Sequence, residues 1–202
     1  MPSNTRIILV HGIHAPEGQS HIGLLAPHLE ALGLEVVRFE YGFLSAIRAR
    51  WANPGIAHRL AAIARPEDVV VCHSNGAAVT WLACEKYGLA LNGVALINPA
   101  LDSDKLFQNV GWTDVYFNGG DDIVWLSKWL IDHAWGSMGR DGCTYKPMHG
   151  FDLGDLGVTN IDCGNTPGKP KIDGHLEFFS TAKIAPWAQY LGLRIRRHLE
   201  NQ

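Results

Sequence analysis

The chain lacks a strong excess of charge of either sign. It has 17 lysines and arginines against 20 aspartates and glutamates, which gives a formal net charge of −3. Proteins that bind nucleic acid or an anionic membrane surface usually carry concentrated positive charge. We therefore expect neither nucleic acid nor a charged lipid surface among the partners of this protein.

Long apolar runs are also missing. No segment reaches the roughly 18 consecutive apolar residues that a membrane-spanning helix needs. Residues 1–6 do not show the basic segment and the following apolar run of a secretory signal peptide. These two features predict a protein without a membrane span and with a cytoplasmic location.

Cysteine is scarce, and its spacing is unlike that of a metal site. The four cysteines are Cys72, Cys84, Cys143 and Cys163, and they show none of the paired spacings typical of zinc ligands. Cys72 and Cys84 lie in apolar segments, which predicts buried and unreactive thiols. A disulfide between Cys143 and Cys163 is left open by the sequence.

One late segment contains several carboxylates near a histidine. Asp152, Asp155 and Asp162 follow His149 at intervals that fit no metal-ligand pattern. Aspartate and glycine together are typical of turns in solvated loops. We therefore favour a loop over a metal site, and no metal or organic cofactor is predicted.

The chain does have the composition of a compact folded protein. Hydrophobic residues make up 47% and charged residues 18% of its 202 residues. This length is typical of one domain with a full hydrophobic core. No internal repeat or linker divides the sequence, so residues 1–202 are predicted to form a single domain.

Short apolar segments that alternate with helical patterns predict the fold class. Six of them have the length and composition of buried strands: 6–10, 34–39, 69–71, 93–98, 114–117 and 157–161. Continuously apolar strands separated by helices are typical of a parallel sheet covered on both faces. We predict an α/β fold, a three-layer αβα sandwich around a mostly parallel sheet of about six strands.

Helical spacing of apolar residues indicates the elements that cover this sheet. The predicted helices lie at 20–32, 56–64, 75–87 and 123–135 and run from Pro186 towards the end of the chain. The region 136–156 has several glycines and little periodicity, which predicts a loop. Tryptophans between Trp112 and Trp135 either line an acyl pocket or pack in the core, and both interpretations stay open.

The corner that follows the third predicted strand has an unusual sequence. Val69 to Val71 run directly into Cys72-His73-Ser74-Asn75-Gly76, and small helix-forming residues come next. So short a strand-to-helix turn forces its central residue into a strained conformation and exposes its side chain at the end of the sheet. The side chain at that position is the hydroxyl of Ser74.

Three other predicted strand ends also carry polar groups. They are His11-Gly12-Ile13-His14, Asp121-Asp122 and Asp173-Gly174-His175. Ligands of parallel α/β sheets bind outside the carboxyl ends of the strands. A serine, a carboxylate and an imidazole at these ends, in this chain order, are the groups needed for acyl transfer.

Taken together, these segments resemble the small α/β-hydrolases of the serine esterase and lipase superfamily, over residues 7 to about 179. Four motifs carry the resemblance. They are the oxyanion strand end at 9–13, the nucleophile elbow at 72–76, the acid turn at 120–124 and the histidine loop at 174–175. The short connections resemble the minimal members that lack a large lid. The chain departs from the family pattern at Cys72, where the family has glycine.

The resemblance implies a catalytic triad for the cleavage of carboxylic esters through an acyl-enzyme. Ser74 is the implied nucleophile and His175 the general base and then general acid. In the family, one residue separates the catalytic acid from a following pair of apolar residues. Asp121 has this spacing from Ile123-Val124, which favours Asp121 over Asp122. His149 is the alternative base, but it precedes the last predicted strand, whereas the resemblance requires a histidine after it.

The resemblance also implies where the oxyanion is held. The implied donors are the backbone N–H groups of Ile13 and Asn75, and His11 is expected to order the turn before Ile13. His73 is expected to point away from the substrate. Cys72 is disfavoured as a nucleophile because it lacks an adjacent base.

Several functions are compatible with the same set of residues. An esterase or lipase acting on a small-molecule or lipid-like ester is favoured, while a thioesterase, an amidase and an acyltransferase use the same triad. A catalytically silent binding module with this fold is a further alternative. A nucleotide-binding domain is disfavoured, because residues 11–16 do not form a glycine-rich turn after the first strand.

Overall fold

The fold is known from a computed structural model that describes residues 5–13, 20–123, 136–146 and 152–201. Its centre is a sheet of six strands in the order β2-β1-β3-β4-β5-β6. The strands are β1 (Arg6–Val10), β2 (Glu35–Phe39), β3 (Val69–His73), β4 (Gly93–Ile97), β5 (Thr113–Phe117) and β6 (Val158–Asp162). Every neighbouring pair is parallel. The predicted α/β class and strand number are confirmed.

Both faces of the sheet are buried, which explains the continuously apolar strands. Side chains of successive residues alternate between the faces, so Ile8 and Val70 belong to one apolar layer and Ile7 and Val69 to the other. The register that aligns Ile7 with Val69 keeps the two layers separate along the sheet. The result is the predicted αβα sandwich.

Helices of unequal length cover the two faces. They are α1 (Ala26–Glu30), α2 (Ala46–Ile63), α3 (Asn75–Tyr87), α4 (Met138–Asp141) and α5 (Ile184–Glu200). Apolar residues of α2 and α3 complete the layer that contains Ile8, and those of α1 and α5 complete the layer that contains Ile7. No helix in the described ranges is long and apolar enough to cross a membrane.

The predicted helix at 56–64 begins ten residues too late. The observed helix α2 begins at Ala46 and includes Pro54 in its interior. Proline there removes one backbone hydrogen bond of the helix, and a Pro-Gly pair is ordinarily a sign of a turn. Packing of α2 against α3 and the sheet, through Ala49, Ala57 and Leu60, outweighs that local preference.

Other helix predictions differ in detail. The segment predicted at 20–32 divides into a 3₁₀ turn, His21–Leu25, and the short helix α1. The last helix begins at Ile184, just before the expected Pro186. The loop predicted at 136–156 contains the single turn of α4. The helix predicted at 123–135 lies outside the described residues except for its first position.

Candidate active site

Ser74 occupies the strained corner that the sequence predicts. Its backbone has φ 54° and ψ −124° between the end of β3 and the start of α3, a conformation that residues other than glycine rarely adopt. The Ser74 N–H donates to the carbonyl of Ile97 at 3.2 Å, and the Ser74 carbonyl accepts from the N–H groups of Ala77 and Ala100, each at 3.0 Å. Hydrogen bonds on both sides therefore hold the corner in place.

Gly76 allows this corner to lie against the end of β1. A Cβ added at Gly76 would stand 2.5 Å from the carbonyl oxygen of Val10 and 2.8 Å from that of His11. At the other flanking position, Cys72 is fully buried, and its small side chain packs where the elbow motif that this segment resembles has glycine. Burial raises the pKa of the Cys72 thiol, so the thiol stays protonated and unreactive, as predicted.

Substitution of Gly76 by alanine is expected to destabilise the protein. The new methyl group would meet two backbone carbonyls that cannot turn away without opening β1, at a cost of roughly 1–3 kcal/mol in the free energy of unfolding. Gly55, in α2, has no atom within 4 Å of an added Cβ, so Gly55→Ala should stabilise by roughly 0.5–1 kcal/mol. Denaturant unfolding of both variants measures the contrast. Equal effects would contradict this account of the corner.

The structure brings Asp121 and His175 together. The ring nitrogen Nδ1 of His175 lies 2.9 Å from Oδ2 and 3.1 Å from Oδ1 of Asp121. Asp121 is fully buried and His175 nearly so. A proton on Nδ1 shared with this carboxylate leaves Nε2 as the basic nitrogen of the ring. Such a pair is able to accept a proton at Nε2 and stabilise the resulting imidazolium.

The neighbouring Asp122 lies in a different environment. Its side chain is 80% exposed and faces Arg140 at 3.8 Å. An exposed pair of this kind contributes little, and it does not involve His175. Of the two aspartates that the sequence offers, the geometry therefore brings Asp121 to the imidazole.

Two side chains fix the histidine loop through its backbone. The carbonyl of His175 accepts a hydrogen bond from Nδ2 of Asn98 at 2.7 Å and a longer one, 3.3 Å, from Nε2 of His73. Asn98 itself has a positive φ of 43° directly after β4, and its Oδ1 accepts from Asn118 at 3.0 Å. The sequence signal for Asn98 is its place at a strand end before Pro99.

The direction of His73 differs from its prediction. It lines the same cavity as Ser74 and His175, and its ring lies 4.7 Å from the His175 ring and 4.8 Å from that of Phe179, measured between centroids. Burial, together with repulsion from His175, holds the pKa of His73 well below its usual value. The expectation that the residue before Ser74 points away from the substrate side is therefore wrong.

The low pKa of His73 makes stability sensitive to acid. Below the ordinary histidine pKa of about 6.5, the unfolded chain takes up a proton at this residue that the folded protein does not, so stability falls as the pH falls. One such proton changes the free energy of unfolding by about 1.4 kcal/mol per pH unit. We expect His73→Gln to show a shallower loss than the wild type between pH 6.5 and 5 in denaturant titrations. Identical slopes would show that His73 does not titrate in this way.

The residues expected to supply the oxyanion donors, Ile13 and Asn75, belong to segments that adjoin Ser74. Asn75 is the first residue of α3, where backbone N–H groups have no partner within the helix. Ile13 lines the cavity and follows Gly12, at which an added Cβ would stand 2.9 Å from the Cβ of Ser74. The loop after β1 therefore lies directly against the corner.

His11 orders this loop, as its sequence position predicts. Its Nδ1 lies 2.7 Å from the Gly12 carbonyl, and its Nε2 accepts from the Tyr41 N–H at 3.2 Å. Because Nε2 accepts, the proton is on Nδ1 and is donated to Gly12. Burial lowers the pKa of His11, which favours this neutral form of the ring.

A cavity of about 200 Å³ opens beside these groups. Its lining combines imidazoles with aliphatic side chains: His11, Gly12, Ile13, His21, Ile22, His73, Ser74, Ile123, His175 and Leu176. Ile123 and Leu176 are 60% and 43% exposed. Ser74 and His175 therefore share one largely apolar cavity. No hydrogen bond joins the Ser74 hydroxyl to His175 within the described residues, and such bonds are often long before a substrate binds.

Several candidate residues lie elsewhere. Trp112 packs at the opposite end of its strand, where its ring stacks on His198 at 4.1 Å. Asp152 and Asp155 accept hydrogen bonds from each other's backbone N–H groups, as expected of a loop. The described residues contain no cluster able to hold a metal. His14, His149 and the tryptophans 125, 129 and 135 lie outside the described residues.

The cysteines do not pair. All four are free and buried, so the disulfide that the sequence left open between Cys143 and Cys163 does not form. Burial raises the pKa of both thiols. They serve as small apolar residues.

Comparison with known proteins supports the architecture. No protein-family model matches the sequence, and no curated protein matches it. Among solved structures, the fold is similar to mouse α/β hydrolase domain-containing protein 10, with a TM-score of 0.62 and 12% identity over 96% of this chain and 90% of that one. It is also similar to a serine hydrolase without a lid from Xanthomonas campestris, with a TM-score of 0.53 and 19% identity over 96% and 81%.

Similarity at these identities establishes the architecture rather than the chemistry. Both structures match this chain over nearly its whole length. The parallel sheet and its flanking helices agree with them. The chain therefore has the α/β-hydrolase fold.

Proposed function

We propose that the protein is a serine hydrolase that cleaves carboxylic esters through Ser74, His175 and Asp121. The observation that carries this proposal is the buried Asp121–His175 pair, 2.9 Å apart, which opens on the same cavity as the strained Ser74. Strain at a single residue persists only where the surrounding structure maintains it, and it is concentrated at functional sites. The lidless serine hydrolase of similar fold is consistent with this proposal.

The proposed reaction proceeds in two halves. In the first, the Ser74 oxygen attacks the ester carbonyl while Nε2 of His175 takes the hydroxyl proton, and that proton then leaves with the alcohol. In the second, water gives a proton to Nε2 and attacks the acyl group, which releases the carboxylic acid and returns the proton to Ser74. Asp121 stabilises the imidazolium in both halves.

The negative oxygen of each tetrahedral intermediate needs donors that are already in place. We assign this role to the backbone N–H groups of Ile13 and Asn75, which belong to the two segments that adjoin the nucleophile. Donors of this type each contribute about 2.7–4 kcal/mol to the stabilisation of a transition state. The positive end of the α3 dipole adds to the same effect.

The described cavity favours an apolar acyl group. Its aliphatic lining includes Ile13, Ile22, Ile123 and Leu176, and burial of apolar surface contributes about 0.8 kcal/mol for each CH₂. We therefore propose a small-molecule or lipid-like ester as the substrate. Thioesters, amides and acyl acceptors other than water use the same groups, and a rate comparison separates them.

Hydrolysis of p-nitrophenyl esters of rising acyl length tests the proposal. We expect turnover well above that of the Ser74→Ala protein, with a rate that depends on acyl length. A short-chain optimum would identify an esterase, and a long-chain optimum a lipid-directed enzyme. A folded wild-type protein that is no faster than Ser74→Ala on esters, thioesters and amides would instead identify a silent binding module.

A further inference from the structure

We propose that Tyr41 is a positioning residue for the oxyanion hole, holding in place the two segments that supply its donors, Ile13 and Asn75. This inference rests on the proposed hydrolase function. Tyr41 follows β2, which is one of the two edge strands of the sheet, and it belongs to none of the four motifs that the sequence resemblance identifies. Its hydroxyl nevertheless lies where the loop after β1 meets the start of α3.

The Tyr41 hydroxyl is hydrogen-bonded to the loop after β1. The hydroxyl lies 2.6 Å from the carbonyl oxygen of His11 and 3.0 Å from that of Gly12. The Tyr41 ring stacks on the His11 ring, with 3.7 Å between centroids. The single proton of the Tyr41 hydroxyl is shared between the His11 and Gly12 oxygens. Since His11 also donates to the Gly12 carbonyl at 2.7 Å, the Gly12 oxygen is held towards His11 and Tyr41.

The geometry of the peptide bond transmits this hold to the reacting site. The Gly12 carbonyl and the Ile13 N–H belong to one peptide unit, and none of the described peptide bonds is cis. In a trans peptide, the C=O and N–H bonds point in opposite directions. Fixing the Gly12 oxygen towards Tyr41 therefore directs the Ile13 N–H away from Tyr41 and fixes the direction in which it donates.

The same hydroxyl also contacts the residue that supplies the second donor. Burial raises the pKa of Tyr41, and a hydrogen bond from the Asn75 side chain opposes this rise. The Asn75 amide is held in turn by reciprocal bonds with Asn53 of α2, at 2.8 and 3.0 Å. A raised pKa keeps the Tyr41 hydroxyl protonated, so it continues to donate at any pH at which the enzyme would work.

A position that serves only stability would not need this arrangement. The Tyr41 ring alone provides the stacking on His11 and the apolar contact with Phe39. The hydroxyl adds hydrogen bonds to groups that adjoin the two oxyanion donors, Ile13 and Asn75. Removal of the hydroxyl should therefore affect the transition state more than substrate binding or folding.

The experiment compares Tyr41→Phe with Tyr116→Phe in the full chain. Tyr116 is a matched control because it is fully buried and its hydroxyl has no hydrogen-bond partner within the described residues. The readouts are the second-order rate of Ser74 labelling by a fluorophosphonate, and kcat, KM and their pH profile for a p-nitrophenyl ester. Thermal unfolding and circular dichroism establish that each variant is folded.

For Tyr41→Phe we expect the labelling rate and kcat to fall about 10- to 100-fold, less than the 10²–10³-fold effect of removing a donor itself. The KM and the midpoints of the pH profile should stay unchanged, because substrate contacts and the base are untouched. Tyr116→Phe should react like the wild type. Wild-type reactivity in Tyr41→Phe, or a rise in KM that accounts for the whole loss of kcat/KM, would overturn the proposed role of Tyr41. Either result would leave the proposed hydrolase function standing.

A second variant keeps the test decisive if Tyr41→Phe does not fold. Asn53→Ala removes the support of the Asn75 amide from the other side, and it should lower the labelling rate in the same way, with KM unchanged. An undiminished rate in folded Asn53→Ala would then overturn the proposal. A folded wild-type protein that does not react with the fluorophosphonate would overturn the hydrolase function, and the role of Tyr41 with it.

Discussion

His175→Ala should lower kcat for ester hydrolysis about 10⁵–10⁶-fold, because the Ser74 hydroxyl then has no base to take its proton. The structure gives the reason for choosing this histidine. Its ring is nearly buried, lines the cavity beside Ser74 and has its Nδ1 on the Asp121 carboxylate. The measurement is the steady-state rate on a p-nitrophenyl ester, read against the uncatalysed rate in buffer.

His149→Ala is the matched control for this substitution. His149 was the alternative base in the sequence, since it also lies beside a glycine in a late segment. We expect its alanine variant to keep the wild-type rate. An inactive His149→Ala together with an active His175→Ala would show that the base had been assigned to the wrong segment.

Asp121→Asn should lower kcat about 10⁴-fold while leaving the protein folded. An amide in place of the carboxylate can donate to Nδ1, which reverses the positions of proton and lone pair on the His175 ring. It also removes the negative charge that stabilises the imidazolium. Steady-state kinetics at saturating ester, with thermal unfolding as a check on the fold, measure the effect.

The adjacent Asp122→Asn provides the comparison. Its side chain is 80% exposed and 3.8 Å from Arg140, so its charge is screened by water and distant from the imidazole. We expect activity close to that of the wild type. If Asp122→Asn were the more damaging of the two substitutions, the acid of the triad would be Asp122, and the pairing of Asp121 with His175 would be structural.

The sheet and its polar strand ends could be predicted because both depend on local patterns. Val69 to Val71 indicate a buried strand wherever they lie, and the following Ser74 corner has a short and recognisable sequence. Parallel strands bring their carboxyl ends to one edge. The sheet edge at which Ser74, Asp121 and His175 lie therefore followed from the strand assignments, whereas the choice of Asp121 over Asp122 and of His175 over His149 rested on the resemblance to the α/β-hydrolases.

Contacts between distant segments could not be predicted in the same way. Asn98 donates to the His175 carbonyl, and Tyr41 donates to the loop after β1. Both hydrogen bonds depend on which loops lie next to each other in the fold, and residue spacing in the sequence does not show that. The predicted direction of the His73 side chain was wrong because packing against Phe179 and His175 sets the observed direction. The predicted start of α2 was wrong because tertiary packing outweighed the turn preference at Pro54.

The central claim is that Ser74 is an activated nucleophile, and fluorophosphonate labelling with identification of the modified peptide tests it most directly. We expect one phosphonyl group per chain on Ser74, and none in Ser74→Ala. We also expect much slower labelling in His175→Ala. A folded wild-type protein that remains unlabelled, or a label on another residue that persists in Ser74→Ala, would contradict the account.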